Sequence, residues 1–238
     1  MTTARPERVA TVKRRPLRTV VAAGRPLTGV IMLRPSALFV EEAAKAGYDF
    51  LFIDGEHGHF SPREFEETID AIRATAVLAL VRVPDHDTAE LARHAKMRPD
   101  ALIVPHVSTA IEAERLVAAI GDGPAMELLV IIESLDGTAN AEAILAVDGV
   151  TGVIVGPNDL SNDCGCRGDF GAPSFVTALN AVERAAGAAR KVLGTVPNAH
   201  HRARALIERG HQLLILGTDR MLIANAMRDQ RSNLELEL

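Results

Sequence analysis

Phe50-Leu51-Phe52-Ile53-Asp54-Gly55-Glu56-His57-Gly58-His59 sets a short aliphatic and aromatic run directly against a polar turn punctuated by glycine. The run has the length and composition of a strand buried on both faces, as strands of parallel sheets are. The same alternation recurs on either side. Strand-like runs occupy Gly29 to Leu33, Phe50 to Ile53, Leu78 to Val83, Ala101 to Val104, Glu127 to Ile132, Gly152 to Val155, Val192 to Thr195 and Gln212 to Leu216. Helical patterns start between and after them near Ser36, Pro62, Thr88, Ala110, Thr138, Ser174, His201 and Arg220, often with Ser, Thr or Asp as a cap. Eight strands in strict alternation with eight helices predict a closed (β/α)8 TIM barrel.

The composition agrees with that reading. Of 238 residues, 47% are hydrophobic, yet there is no Trp, one Tyr and seven Phe, so the core is built from Ala, Val, Leu and Ile. One barrel of this kind takes ~250 residues. We expect one domain over residues 12–229, with tails at 1–11 and 230–238. The basic segment from Arg5 to Arg25 reads as a frayed tail, then a short helix around Val12 to Ala22 that closes the barrel's bottom; the other reading is a targeting or anion-binding arm.

A net charge of −5 offers no basic field for phosphates, so nucleic acid is not an expected partner. No run reaches the ~20 apolar residues of a membrane span, and none resembles a signal peptide. Cys164 and Cys166, one residue apart, suit neither a disulfide nor a structural zinc site; they read as ordinary loop thiols rather than a redox switch. The expected location is the cytoplasm. No Gly-x-Gly-x-x-Gly turn follows the first strand, which argues against a dinucleotide.

Polar residues gather just past the strands: Asp54 to His59, Arg82, His106, Glu133, Gly156 to Asp159, and Asp219. In a barrel these points converge on the rim where active sites lie. Glu133 and Asp159, past the fifth and sixth strands, suit a hard divalent cation with open water positions: Mg²⁺ or Mn²⁺, with Co²⁺ a further candidate. His57, three residues after Asp54, reads as a general acid/base with Asp54 orienting its ring. An alternative makes Glu56, His57 and His59 the metal ligands. Arg82 ends the third strand, placed either to meet anionic oxygen or to pair with Asp54, Glu56 or Asp87. Together these groups predict chelation of a 2-oxo acid, proton movement by His57 at a C4 hydroxyl, and a pyruvate-like enolate held by metal and Arg82.

Ile53-Asp54-Gly55-Glu56-His57-Gly58, Val81-Arg82-Val83-Pro84, Ile132-Glu133-Ser134 and Gly156-Pro157-Asn158-Asp159-Leu160-Ser161 resemble, in that order, the motifs of the metal-dependent 4-hydroxy-2-oxo-acid aldolase family. That family includes 4-hydroxy-2-oxoheptanedioate aldolase and 2-dehydro-3-deoxyglucarate aldolase. The resemblance runs from about Val12 to Met227. It implies a barrel of the phosphoenolpyruvate/pyruvate type, a carbon–carbon lyase acting on a 2-oxo acid and an aldehyde, and a homo-oligomer, hexameric or trimeric. It also implies base, arginine and metal-ligand roles for His57, Arg82, Glu133 and Asp159, with Asp54 as the partner of His57. Asp219 is similar to the last strand-end motif.

Three departures accompany it. The Pro- and Gly-rich insertion ending in Arg-Gly after the fourth strand is missing. Lys96 stands where an active-site aspartate is expected, and the family's usual Trp after the first strand is absent, with Met32 nearby. On this reading they rebuild the wall that selects the aldehyde. The alternatives are a decarboxylase or other enolate-forming enzyme on a different 2-oxo acid, and a diverged binding barrel without turnover.

Overall fold

All eight expected strands form, and the helices between them start largely where their caps stand. The computed structural model describes residues 16–121 and 126–233. The first half runs α1 (Leu17–Val21), β1 (Leu27–Met32), α2 (Ala37–Lys45), β2 (Phe50–Asp54), α3 (Pro62–Arg73), β3 (Leu78–Arg82), α4 (Thr88–Lys96), β4 (Ala101–Val104) and α5 (Ala110–Ile120). The second half runs β5 (Glu127–Ile132), α6 (Leu135–Ala139), α7 (Ala141–Ala146), β6 (Val150–Val155), α8 (Pro157–Asp163), α9 (Pro173–Ala189), β7 (Val192–Thr195), α10 (Ala203–Glu208), β8 (Leu213–Thr218) and α11 (Asp219–Ser232). The strands pair in parallel in chain order and β8 closes on β1, giving the barrel.

Capping accounts for several boundaries. Ser61 and Glu64 form a reciprocal capping box at the start of α3, and Thr109 with Glu112 does the same for α5. Two places differ from expectation. The helix expected near Thr138 is two short helices, because Ser134 caps an earlier start and Asn140 leaves helical geometry between them. The segment after the sixth strand is not loop but α8, started by Pro157 at its first position with Asp159 in its first turn.

The apolar residues divide into two layers. One fills the space between sheet and helices. The other lies inside the barrel and includes Phe50, Phe52, Leu78, Leu80, Leu129 and Ile131. Phe50 fits there because β1 has Gly29 beside it; a Cβ at that position would meet the ring at 2.2 Å. Side chains alternate along a strand, so the next inward positions at the carboxyl ends are Asp54, Arg82 and Glu133. The period-two pattern that builds the interior therefore also delivers the polar roof.

At the other end α1 turns Leu17 and Val21 into the inner layer, while Arg18 Nε donates to Glu127 Oε1 at 3.0 Å. This is the expected bottom-closing helix in its described part; residues 12–15 and the expected tail 1–11 lie outside the described residues. The last helix continues to Ser232, past the expected domain edge at 229, and residues 234–238 lie outside the described residues. Among the described residues no helix is long and apolar enough to cross a membrane.

Candidate active site

Asp54 and Arg82 are register neighbours at the ends of β2 and β3. Arg82 donates through Nε to Asp54 Oδ1 at 2.9 Å and through Nη2 to Oδ2 at 2.5 Å. Its third nitrogen, Nη1, lies 2.6 Å from Glu56 Oε2. The guanidinium carbon sits 5.5 Å from the centre of the Phe52 ring, so the cation caps the apolar interior. Of the partners open to Arg82 in the sequence, Asp54 and Glu56 are realised; Asp87 instead caps α4 by accepting from Ala89 N–H.

The expected pairing of Asp54 with the His57 ring is not what forms. Asp54 Oδ1 accepts from the backbone N–H groups of Glu56 and His57, at 3.0 and 3.1 Å. The short turn brings those amides, not the imidazole, over the carboxylate. Asp54 therefore shapes the turn and aligns Arg82, while His57 projects outward with its side chain 64% exposed and Nε2 3.9 Å from Glu56 Oε2. His57 and His59 edge an open pocket of about 540 Å³, bounded also by Arg34, Ser36, Phe39 and Met227.

Glu133, one residue past β5, is buried, with 4% of its side chain exposed. Burial pushes its carboxyl up from the usual range, and the negative charges of Asp159 and Glu56 push the same way against the influence of His106. Its Oε2 occupies a hollow that exists because residue 156 is glycine: a Cβ there would come within 2.3 Å. Asp159 stands exposed in the first turn of α8, close enough for its charge to be felt at Glu133. The ligand set Glu56, His57 and His59 does not assemble; among the described residues no group of three or more His, Cys, Asp or Glu side chains is placed to hold a metal ion.

One participant carried no assigned role in the sequence. His106, two residues past β4, has φ 55° and turns its ring between two acids. Nε2 lies 2.9 Å from Glu56 Oε1 and Nδ1 2.8 Å from Glu133 Oε1, which also accepts the His106 backbone N–H at 2.9 Å. Its position just past a strand end was the only available signal.

Asp219 opens α11, where its Oδ2 accepts from the backbone N–H groups of Leu33 and Arg34, tying the loop after β1 to the last helix. Of the positions that depart from the family pattern, Lys96 lies at the opposite end of the barrel, and Met32 ends β1 with its side chain turned away from the interior. Lys96 is exposed in the last turn of α4, which leads to the amino end of β4, and Met32 is fully buried between sheet and helices. Cys166 Sγ contacts the Ser161 carbonyl at 3.2 Å, and burial raises the Cys164 thiol, which disfavours its reactive thiolate.

A closed parallel barrel with this rim defines the class, and the comparisons identify it: the chain belongs to the HpcH/HpaI aldolase/citrate lyase family, whose sequence profile matches residues 29–226. The hydroxypyruvate/pyruvate aldolase of Cupriavidus necator is 31% identical, with 90% of each chain covered. The 4-hydroxy-2-oxo-heptane-1,7-dioate aldolase of Salmonella dublin is 29% identical over 85% of this chain and 88% of its own. Among solved structures, an HpcH/HpaI aldolase from Desulfitobacterium hafniense superimposes with a TM-score of 0.81 at 26% identity, covering 92% of this chain and 97% of that one. The chain is thus an enzyme of the aldolase/lyase class.

Proposed function

We propose that this enzyme is a divalent-metal-dependent aldolase that cleaves or forms a 4-hydroxy-2-oxo acid, releasing or using a pyruvate-like 2-oxo acid and an aldehyde. The observation that carries the reading is the buried Glu133 carboxylate, set in the Gly156 hollow with Asp159 beside it and the Asp54–Arg82 pair at the same end of the barrel. Those carboxylates fit a hard cation: no Lys or Arg contacts Glu133 among the described residues, and two oxygen ligands with open water positions suit Mg²⁺ or Mn²⁺, with Co²⁺ a third candidate. A divalent cation held by Glu133 and Asp159 supplies Lewis-acid stabilisation of negative charge at the 2-oxo group.

The chain's own residues do the rest. Arg82, held flat by Asp54 and Glu56, presents fixed positive charge toward the rim where enolate charge develops. His57, exposed at the pocket edge, takes the proton of the C4 hydroxyl in cleavage and returns it in synthesis. The same ring, through water, exchanges protons of the pyruvate methyl group. The pocket beside it, with Phe39 and Met227 on its walls, receives the aldehyde portion.

We also propose a cytoplasmic homo-oligomer, trimeric or hexameric. Ile223 and Met227, one turn apart, leave an apolar strip of α11 in solvent, and Asp219 is the one described residue of that helix that is buried. Such a face needs a partner. The functional test is product analysis with pyruvate or hydroxypyruvate, a panel of aldehydes and Mg²⁺ or Mn²⁺. Metal-dependent adducts support the aldolase; decarboxylation of oxaloacetate without any adduct would replace it with the alternative enolate chemistry.

A further inference from the structure

Two arginines that hold no carboxylate among the described residues stand on the pocket that His57 edges. Arg34, in the loop after β1, and Arg220, the second residue of α11, line it together with His57 and His59, and both are exposed. The one acid on the lining is Asp219, and its oxygens are taken by the backbone. Oδ2 accepts from the N–H groups of Leu33 and Arg34 at 3.0 and 3.3 Å, and Oδ1 from that of Arg220 at 2.6 Å. One buried carboxylate therefore fastens the backbones of both arginines and leaves both guanidiniums unpaired. Leu33 is held from the other side too, since its carbonyl accepts from His59 N–H at 2.8 Å, which joins the loop of Arg34 to the turn of His57. With two guanidiniums against one carboxylate, the pocket is electropositive on a fixed frame.

The order of strands gives this charge a direction. The segments carrying Arg220, Arg34 and His57 follow β8, β1 and β2, three neighbours in the barrel, whereas Glu133 follows β5, across the mouth from β1. A substrate with its 2-oxo acid end at Glu133 and Arg82 and its C4 hydroxyl at His57 extends its remaining carbons toward β1 and β8. Its far end then meets the two guanidiniums. We propose that Arg34 and Arg220 form an anion clamp that selects aldehydes ending in a carboxylate or a phosphate; this rests on the aldolase reading above. The planar fork of arginine matches both groups, and two forks from different elements can close on one anion. Leu33 and Phe39 supply apolar wall for a short spacer between aldehyde and anion. In synthesis the deprotonated methyl carbon of pyruvate bonds to the aldehyde carbon, and the aldehyde oxygen takes up a proton to become the C4 hydroxyl. The clamp touches neither reacting atom, so it sets which aldehyde is used rather than how the bond forms.

Addition of pyruvate to three aldehydes of matched length, ending in a carboxylate, a phosphate or a hydroxyl, tests this in the full-length protein with Mn²⁺. The expected result is a kcat/KM ~10–100-fold higher for one of the charged aldehydes than for the hydroxyl compound, the size of a charge-assisted hydrogen bond. The preferred anion tells carboxylate from phosphate. Arg34→Gln and Arg220→Gln each lower that ratio about tenfold, chiefly through KM, and Arg34→Lys and Arg220→Lys restore part of it. A wild type indifferent to the charge, or a preference that survives both Gln substitutions, overturns the clamp; metal-dependent proton exchange at the pyruvate methyl group then leaves the aldolase reading standing. A wild type that forms no adduct with any of the three and exchanges no methyl protons overturns both.

Discussion

Arg82 spends two of its three nitrogens on the two oxygens of Asp54, its register neighbour on the adjacent strand, and both side chains are at most 10% exposed. Both charges are largely withdrawn from bulk water, so each leans on the other, with Glu56 as a second anion on Arg82 and two backbone amides on Asp54. Asp54→Asn leaves a buried guanidinium with Glu56 as its remaining anion, and breaking such a pair costs about 3–5 kcal/mol. Urea denaturation of the variant measures this. A loss under ~1 kcal/mol, the range of an exposed pair, would contradict the buried-pair account.

Gly156→Ala separates the metal hollow from the fold. Residue 156 has φ −84°, so alanine is unstrained, but its Cβ would lie 2.3 Å from Glu133 Oε2 and 2.9 Å from Glu133 Cβ. The carboxylate must move by about an ångström, a displacement that costs on the order of 10²-fold in turnover. We expect weakened Mn²⁺ binding and turnover with an unchanged circular dichroism spectrum. Wild-type metal affinity in this variant would contradict the placement of the ion at Glu133.

Acid stability depends on a second cluster, behind the barrel. Burial pushes the Glu183 carboxyl up, but hydrogen bonds from His211 at 2.8 Å and from Arg209 at 2.5 and 2.9 Å outweigh it and hold the group below its ordinary value of 4.5. A carboxylate depressed in the fold contributes stability above its unfolded value and loses it as pH falls through the folded one. The wild type should therefore exceed Glu183→Gln by about 1–2 kcal/mol at pH 7. That difference should shrink below pH 4.5. A gap independent of pH between 7 and 3 would refute the assignment.

The apolar face of α11 predicts self-association. Ile223 and Met227 are 54% and 67% exposed, so charging both, as Ile223→Lys with Met227→Lys, removes nothing from the barrel core. Light scattering after size exclusion should find a trimer or hexamer for the wild type and a smaller species for the double variant. A monomeric wild type would contradict the proposal.

The barrel is legible in the sequence because buried parallel strands are short, β-branched and bounded by turns, and because the polar residues past Ile53, Val81 and Ile132 continue the inward period of their strands. The breaks are less legible. Asn140 dividing α6 from α7, and α8 starting at Pro157, depend on local caps within stretches of mixed signal. Partner choice is harder still. Asp54 and His57 are three apart, but a turn that short delivers backbone amides, and the carboxylate goes instead to Arg82, which β2–β3 registry brings alongside. For His106, a single histidine past a strand carries no mark of a left-handed backbone or of two acids 50 and 27 positions away.

Proton exchange at the methyl group of pyruvate in D₂O, followed by NMR, tests the central claim most directly, since it requires no knowledge of the aldehyde. The account predicts exchange that needs Mg²⁺ or Mn²⁺, stops on chelation and falls sharply in His57→Ala. Folded, metal-loaded wild-type protein that exchanges no protons would contradict the pyruvate-aldolase reading.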